Sequence, residues 1–136
     1  MPPYTITVTR RAVFSAARSL RSSALDVDAN ARLFGLEARL HGHDFTLFAT
    51  LVGDAPPETG MVMDLKALSR VIRAEVTTPL DRTVLDGAAM LEGFPPTTEN
   101  LARAIWRRLE PNLKPGSLHE VVLLEGSGKG VRYRGE

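Results

Sequence analysis

The sequence predicts an α+β fold in which an antiparallel four-stranded sheet carries two helices on one face. Apolar and polar residues alternate in segments near the start, in the middle and at the end of the chain, as in strands with one buried side. Two other segments repeat apolar residues every three or four positions, as amphipathic helices do. The resulting order, β-β-α-α-β-β, is typical of an α+β layout. A length of 136 residues suits a single domain over residues 1–136.

The first half of the chain is predicted to form two strands joined by a long connection. The first strand is predicted at Tyr4–Phe14, where large apolar residues alternate with threonines. Residues 15–37 have no clean period and are predicted as a connection with one helical turn, and a connection of this length is usually functional or disordered. Alternation returns at Leu40–Val52, where it places His41 and His43 on one face.

Two helices are predicted from capping residues and apolar stripes. Asp54–Gly60 is predicted as a turn, after which Asp64 caps a helix that Pro79 ends. The second helix begins in "PTTEN", where a threonine provides the cap, and it ends at Pro111. The apolar stripes are Leu65, Leu68, Ile72 and Val76 in the first helix and Leu101, Ile105 and Leu109 in the second.

The remaining segments are predicted as a loop and a hairpin. Leu80–Pro96 has no sustained period and is predicted to be mostly loop. The closing stretch "HEVVLLEGSGKGVRYRG" has two alternating runs around a glycine-containing turn, which indicates a β-hairpin. These two runs supply the third and fourth strands of the predicted sheet.

The composition excludes several classes of protein. Lys and Arg number 17 against 16 Asp and Glu, so bulk charge favours neither nucleic acid nor a membrane surface as a partner. No apolar run approaches the roughly 20 residues that span a bilayer, and the first residues lack the apolar middle region of a signal peptide. The chain has no cysteine, which excludes thiolate metal ligands and a cysteine nucleophile. We therefore expect a cytoplasmic protein.

The stretch "RLHGHDF" holds two of the three histidines in the chain. His41 and His43 lie on the same side of the predicted strand, so both imidazoles can bind one ion about 2 Å away. The alternative interpretation is that they are structural or solvated residues at a strand end. That alternative is the commoner one for two histidines alone, because zinc takes three or four protein ligands.

Two acidic positions and one helix start are further candidates. Glu125 continues an apolar strand face, so its carboxylate either grips a ligand with paired N–H groups or lies at an open strand end. Asp81 in "PLDRTVLD" is either functional or a loop acid that pairs with Arg82. The "PTTE" stretch is fully explained as a helix start, because capping threonines and a first-turn glutamate suit the helix dipole.

Taken together and in order, these motifs resemble those of the 6-pyruvoyltetrahydropterin and 6-carboxytetrahydropterin synthases. The resemblance covers nearly the whole chain, and the ordered set is specific although each piece alone is not. It implies the tunnelling fold, in which four-stranded sheets with two helices on one side assemble into barrel-forming trimers and usually hexamers. The matching motifs are "FSAARSL" (14–20), "RLHGHDF" (39–45), "GMVMDLKAL" (60–68), "LDRTVLD" (80–86), "PTTENLARAIW" (96–106) and "VVLLEG" (121–126).

The resemblance also implies a site. In the family a pterin lies at a subunit interface and a strand glutamate binds its ring, which corresponds to Glu125 here. The His-Gly-His pair supplies two zinc ligands, which correspond to His41 and His43. The "PTTE" motif supplies further substrate contacts, which correspond to Thr97, Thr98 and Glu99.

Three positions depart from the family pattern. Arg18 stands where the resemblance places the first zinc-binding histidine, and Glu37 stands where it places the catalytic cysteine. Arg82 replaces the histidine of an Asp-His pair whose aspartate, Asp81, is kept. Arginine cannot bind zinc or shuttle protons at neutral pH, but it can stabilise an oxyanion or hold a phosphate. Glu37 can serve as a general base.

Two functions follow. The first is a lyase that acts on the side chain of 7,8-dihydroneopterin triphosphate or a related pterin. In this enzyme Glu37 is the base, Asp81 and Arg82 assist, and Arg18 binds substrate. The second is a non-catalytic pterin-binding homologue, such as a sensor or an assembly partner. The sequence favours the enzyme, because Glu37 and Asp81 are titratable groups retained beside the ring anchor.

The departures also bear on metal and assembly. Arg18 occupies the position of a missing ligand, and a unit charge about 4 Å from a divalent ion repels it by roughly 8 kcal/mol at an effective dielectric near 20. We therefore expect zinc to be weak or absent, although His41, His43 and Glu37 form a chemically acceptable zinc set. Without zinc, the histidines would hold water, an anion or the substrate. We also expect a homo-trimer or hexamer, because the second sheet face needs cover; its residues include Thr46, Phe48, Thr50 and Val52.

Overall fold

The computed structural model describes residues 6–136, and these residues form one mixed sheet with helices packed against it. The α+β class predicted from the sequence is confirmed. The strands are β1 (Ile6–Arg18), β2 (His41–Gly53), β3 (Thr83–Val84), β4 (Leu118–Glu125) and β5 (Lys129–Tyr133), in the spatial order β3-β1-β2-β4-β5. The helices are α1 (Val27–Phe34), α2 (Leu65–Ile72), α3 (Thr78–Leu80) and α4 (Thr98–Leu109).

The sheet has five strands, one more than the four predicted from the sequence. β1, β2, β4 and β5 are antiparallel neighbours as predicted, but β3 pairs in parallel with the end of β1. The predicted loop over Leu80–Pro96 thus contains a two-residue strand. It forms because the Arg82 N–H donates to the Ser15 carbonyl at 2.6 Å and the Leu85 N–H to the Ala17 carbonyl at 2.8 Å. A strand this short has no alternation to detect in sequence.

The first strand and the connection after it also differ from prediction. β1 continues four residues beyond Phe14 and ends at Arg18, while Tyr4, its predicted start, lies outside the described residues. The connection contains the two-turn helix α1 and a 3₁₀ turn, Gly35–Ala38. Asp26 caps α1 by accepting the Ala29 N–H at 2.7 Å. The longer strand matters because it carries Arg18 into the interior.

The two predicted helices are present. Asp64 caps α2 by accepting the Lys66 N–H, and α2 runs through a π-helical turn, Arg73–Thr77, into α3. Pro79 was predicted to end this helix, but the helix ends one residue later at Leu80. Proline lacks the N–H that would bond the carbonyl four residues earlier, and the Glu75 carbonyl instead accepts from the Arg108 Nε at 3.3 Å.

The core lies on one face of the sheet. Phe45, Leu47, Ala49 and Leu51 of β2 are buried, whereas the residues between them are half-buried. Both long helices contribute to the same core, with residues such as Leu68 and Ile72 from α2 and Leu101 and Ile105 from α4. The helices therefore cover one sheet face, as predicted from the two apolar stripes.

Strand register brings the candidate residues to one end of the covered face. Arg18 on β1 is directly opposite His41 on β2, and Phe45 on β2 is opposite Glu125 on β4. Opposed residues of neighbouring strands share a face, and residues two apart on β2 do so as well. The side chains of Arg18, His41, His43 and Glu125 therefore project from the same face and the same end of the sheet.

Candidate functional site

Glu125 is the centre of the candidate site. It is the last residue of β4, and its side chain is only 9% exposed. Its Oε2 accepts a hydrogen bond from Thr98 Oγ1 at 2.7 Å and lies 2.7 Å from Arg18 Nη2. Its Oε1 lies 3.2 Å from His43 Nε2. The carboxylate is therefore buried and paired within the protein, although it is the last residue of its strand and a turn follows it.

Arg18 joins three elements around this carboxylate. Its side chain is 2% exposed, and its Nη1 donates to the Pro96 carbonyl at 3.2 Å and to Thr98 Oγ1 at 3.0 Å, both at the start of α4. The guanidinium carbon also lies 5.6 Å from the centre of the Phe45 ring, within the range of a cation–π contact. A buried guanidinium needs a counter-charge, and Glu125 provides it.

Several effects act on the pKa of Glu125. Burial on its own raises this pKa, because it penalises the charged form. Hydrogen bonds from Thr98 and Arg18, together with the charges of Arg18 and His43, act in the opposite direction and outweigh burial. The pKa of Glu125 therefore lies below its ordinary value, and the carboxylate is ionised at neutral pH.

A second group, adjacent to the first, consists of Glu37, His41 and His43. Glu37 Oε2 lies 2.5 Å from His41 Nε2 and 3.8 Å from His43 Nε2, and the three ligand atoms lie within 4.8 Å of one another. The two imidazole rings are perpendicular, with centres 4.6 Å apart. Glu37 comes from the 3₁₀ turn that precedes β2, so that turn brings the carboxylate onto the histidine pair.

This second group fits a metal ion. Each of the three atoms, Glu37 Oε2, His41 Nε2 and His43 Nε2, is buried without a hydrogen bond of acceptable geometry. Buried polar atoms normally have a partner, and two imidazole nitrogens with one carboxylate oxygen form a known zinc ligand set. The group can therefore bind a metal ion.

Arg18 is ion-paired with Glu125, whereas the repulsion estimated from the sequence treats Arg18 as an unpaired cation. That pairing lowers the repulsion expected between Arg18 and a cation held by the second group.

The start of α4 contributes unequally to the site. Thr98 is buried and bonds both Arg18 and Glu125. Thr97 is the helix cap, since its Oγ1 accepts the Asn100 N–H at 3.1 Å, and Glu99 lies exposed in the first helical turn. The structure thus gives Thr97 the capping role predicted for a threonine, and it brings Thr98 alone of these three side chains onto Glu125.

Asp81 and Arg82 lie at a different place. Asp81 Oδ1 accepts the Ser15 N–H at 2.9 Å, and Ser15 Oγ donates to Asp44 at 2.5 Å. Ser15 and Asp44 are opposed on β1 and β2, one residue out of phase with the buried face, so they belong to the other face of the sheet. Arg82 is 90% exposed there, with a positive φ of 59°. Within one chain, neither residue joins Glu37.

Some contributors could not be found by sequence reasoning. The Arg39 carbonyl lies 2.6 Å from His41 Nδ1, and the Pro96 carbonyl binds Arg18; backbone acceptors leave no mark in a sequence. Phe45 was visible on the face of the histidine pair, but its contact with Arg18 depends on the length of β1. A cleft of about 1030 Å³ adjoins the site and is lined partly by Ser19, Arg39 and Pro96.

Comparison with known proteins identifies the family. The family model of 6-pyruvoyl tetrahydropterin synthase matches residues 7–136. A 6-pyruvoyl tetrahydrobiopterin synthase of Dictyostelium discoideum is 36% identical over 97% of this chain and 98% of its own. A 6-carboxy-5,6,7,8-tetrahydropterin synthase of Synechocystis is 37% identical over 70% of this chain and 74% of its own. The solved structure of the Caenorhabditis elegans 6-pyruvoyl tetrahydropterin synthase superposes with a TM-score of 0.91 at 29% identity and covers 96% of both chains. The chain belongs to the 6-pyruvoyl tetrahydropterin synthase family.

Proposed function

We propose that this protein is a pterin side-chain lyase of the 6-pyruvoyl/6-carboxytetrahydropterin synthase type. Its substrate would be 7,8-dihydroneopterin triphosphate or a closely related pterin. The observation that carries the proposal is the ionised Glu125 carboxylate, held in place beside a group of titratable and metal-binding side chains. The names of the relatives, which are pterin synthases, support the same substrate class.

Ring binding is assigned to Glu125. Arg18 and Thr98 already occupy Oε2. Oε1 lies 3.2 Å from His43 Nε2, and its second lone pair would accept a hydrogen bond from a ring N–H. Thr97 and Glu99, from the same motif, are proposed to border the substrate. Arg18 was expected to bind substrate itself, and its pairing instead supports an indirect role through Glu125.

Proton transfer is assigned to Glu37, with Asp81 and Arg82 assisting. Glu37 would take a proton from the substrate side chain, and the permanent charge of Arg82 would stabilise an oxyanion or a phosphate group. Asp81 and Arg82 lie on the other face of the sheet, so they would act at the site of a neighbouring subunit. This requirement is consistent with the trimer or hexamer expected for the tunnelling fold.

A zinc ion, where bound, would be held by His41 and His43 and would polarise a substrate oxygen as a Lewis acid. Arg18 takes the position of the third family histidine, so any third protein ligand would come from another residue. The half-buried second face of the sheet supports the oligomer, and Val13 on that face is 56% exposed. A cytoplasmic location and a single pterin-synthase-like domain over residues 1–136 complete the proposal. No helix among residues 6–136 is long and apolar enough to cross a membrane.

The test is to incubate the purified protein with 7,8-dihydroneopterin triphosphate and to identify the products by mass spectrometry. We expect loss or shortening of the side chain, strongly reduced in Glu37→Gln and unaffected in Glu58→Gln, a matched change on an exposed turn. Pterin binding without any product would instead support the non-catalytic homologue. Neither binding nor turnover would reject the proposed function.

A further inference from the structure

We infer that Glu37 is the third protein ligand of a metal site completed by His41 and His43. In this site a carboxylate takes over the coordinating role that the resemblance gives to the position of Arg18. The inference concerns the protein without substrate, and it stands whether or not the protein turns over a pterin.

The three proposed ligand atoms are buried polar atoms. Glu37 Oε2, His41 Nε2 and His43 Nε2 are buried and make no well-aligned hydrogen bond, although the first two atoms lie 2.5 Å apart. Arg18 Nε, outside this group, is likewise buried without a hydrogen bond. A single unsatisfied atom is often explained by local packing, but three that converge on one point indicate a shared partner. That partner must accept electron pairs from two nitrogens and one oxygen, which is what a metal cation does.

The distances between the proposed ligand atoms are close to those between the ligands of one metal ion. Ligands of tetrahedral zinc at about 2.0–2.1 Å from the ion lie about 3.3 Å from one another. Glu37 Oε2 is 2.5 Å from His41 Nε2 and 3.8 Å from His43 Nε2. These distances fall on either side of the tetrahedral value.

The hydrogen bond of His41 Nδ1 leaves Nε2 as the ligand atom of this ring. Its Nδ1 lies 2.6 Å from the Arg39 carbonyl oxygen, and a carbonyl can only accept a hydrogen bond. Nδ1 must therefore carry a proton, which leaves the lone pair of the neutral ring on Nε2. Metal-binding histidines usually have this type of contact on the second ring nitrogen.

The charges of the neighbouring side chains also suit a bound cation. Arg18 and Glu125 form a close pair at 2.7 Å, so their charges offset each other. Glu37 then contributes a negative charge that two imidazole ligands alone do not supply. The replacement of a ligand by arginine is thus compensated twice, by Glu125 for the charge and by Glu37 for the ligand.

A carboxylate has two oxygens with about four lone-pair sites, so Glu37 can bind the ion through Oε2 and accept a proton at Oε1. The nitrogen and oxygen set favours zinc over calcium or magnesium.

The experiment is a zinc titration of the full chain, stripped with chelator and dialysed, in competition with a chromophoric chelator. The wild-type protein should bind one zinc ion per protomer. Glu37→Gln should weaken binding more than about 100-fold, beyond the loss typical of an outer-shell partner. Glu58→Gln, the exposed control, should leave binding unchanged. Cobalt(II) provides a second readout: its visible absorption in the wild-type site should change in shape and intensity in Glu37→Gln.

Glu125→Gln separates the two carboxylates near His43, because Glu125 Oε1 is 3.2 Å from its Nε2. We expect Glu125→Gln to retain zinc binding within about 10-fold, the lower end of the loss for an outer-shell change. Loss of zinc in Glu125→Gln with retention in Glu37→Gln would overturn the inference, as would equal affinity of Glu37→Gln and wild type. Absence of zinc binding to the wild type would also overturn the inference and would favour a proton shared between Glu37 and His41. Circular dichroism of the metal-free variants checks that each is folded.

Discussion

Replacement of Arg18 by methionine should destabilise the protein by about 3–5 kcal/mol, the cost of leaving a buried ionised partner uncompensated. Methionine fills much of the same space but removes the charge, the contact with the Phe45 ring and the three polar contacts, to Glu125, Thr98 and the Pro96 carbonyl. A domain of ordinary stability, about 5–15 kcal/mol, should remain mostly folded.

The free energy of unfolding can be measured by urea titration, with fluorescence of Trp106 as the probe. Trp106 is the single tryptophan of the chain and is buried on α4, the helix whose start Arg18 holds. The protein should be kept at one protomer concentration with chelator present, because assembly and bound metal both add to apparent stability. Arg107→Met, an exposed change on the same helix, should stay within about 0.5 kcal/mol of wild type.

The double variant Arg18→Met/Glu125→Gln supplies the decisive comparison. With the carboxylate neutralised, no uncompensated charge remains, so the double variant should lose less stability than Arg18→Met alone. A loss below about 1 kcal/mol in Arg18→Met, or additive losses in the double variant, would refute the assignment of Arg18 and Glu125 as a coupled buried pair.

Three further predictions concern the same residues and the assembly. Glu125→Gln should weaken neopterin binding by about 1.5–3 kcal/mol, the value of a charge-assisted hydrogen bond, and unchanged affinity by calorimetry would exclude Glu125 as the ring anchor. The folded-state pKa of Glu125 lies below its unfolded value, so its contribution to stability is present above the unfolded value and is lost as pH falls through the folded one. Acid titrations of unfolding with chelator present should therefore be steeper for wild type than for Glu125→Gln, and superimposable curves would contradict this. Light scattering at micromolar concentration should give a trimer or hexamer, and a monomer would leave the half-buried face of Thr46 and Phe48 unexplained.

The sequence predicted the parts of the fold that depend on periodicity. The alternation in β2 and the stripe on α4 place part of the core, because burial on one face of a regular element repeats at a fixed spacing. The two-residue β3 and the extension of β1 to Arg18 were missed, since each is determined by pairing with distant residues and not by local pattern. The π-helical turn before Pro79 was also missed, because a single wider turn does not change the apolar stripe enough to be seen in the sequence.

The candidate site could be predicted only in part, for a related reason. The face shared by His41 and His43 follows from strand periodicity, and the two histidines do lie together. The position of Glu37 depends on a 3₁₀ turn, and the state of Arg18 depends on Glu125, which is 107 positions away in sequence. A charge estimate made from sequence treats Arg18 as a free cation, because the counter-ion is not visible before the strands are paired.

The exchange of residues at Arg18 and Glu37 can be understood as one change in electrostatics. A histidine at position 18 would be a neutral ligand and would leave the buried Glu125 without a strong donor. Arginine at this position gives Glu125 two fixed donors, directly and through Thr98, but removes a ligand from the ion. A carboxylate at position 37 provides a third candidate ligand beside His41 and His43. Arg18→His in the Glu37→Gln background should therefore bind zinc more tightly than Glu37→Gln alone, as measured by chelator competition. Its free energy of unfolding in the urea titration should be lower than that of Glu37→Gln.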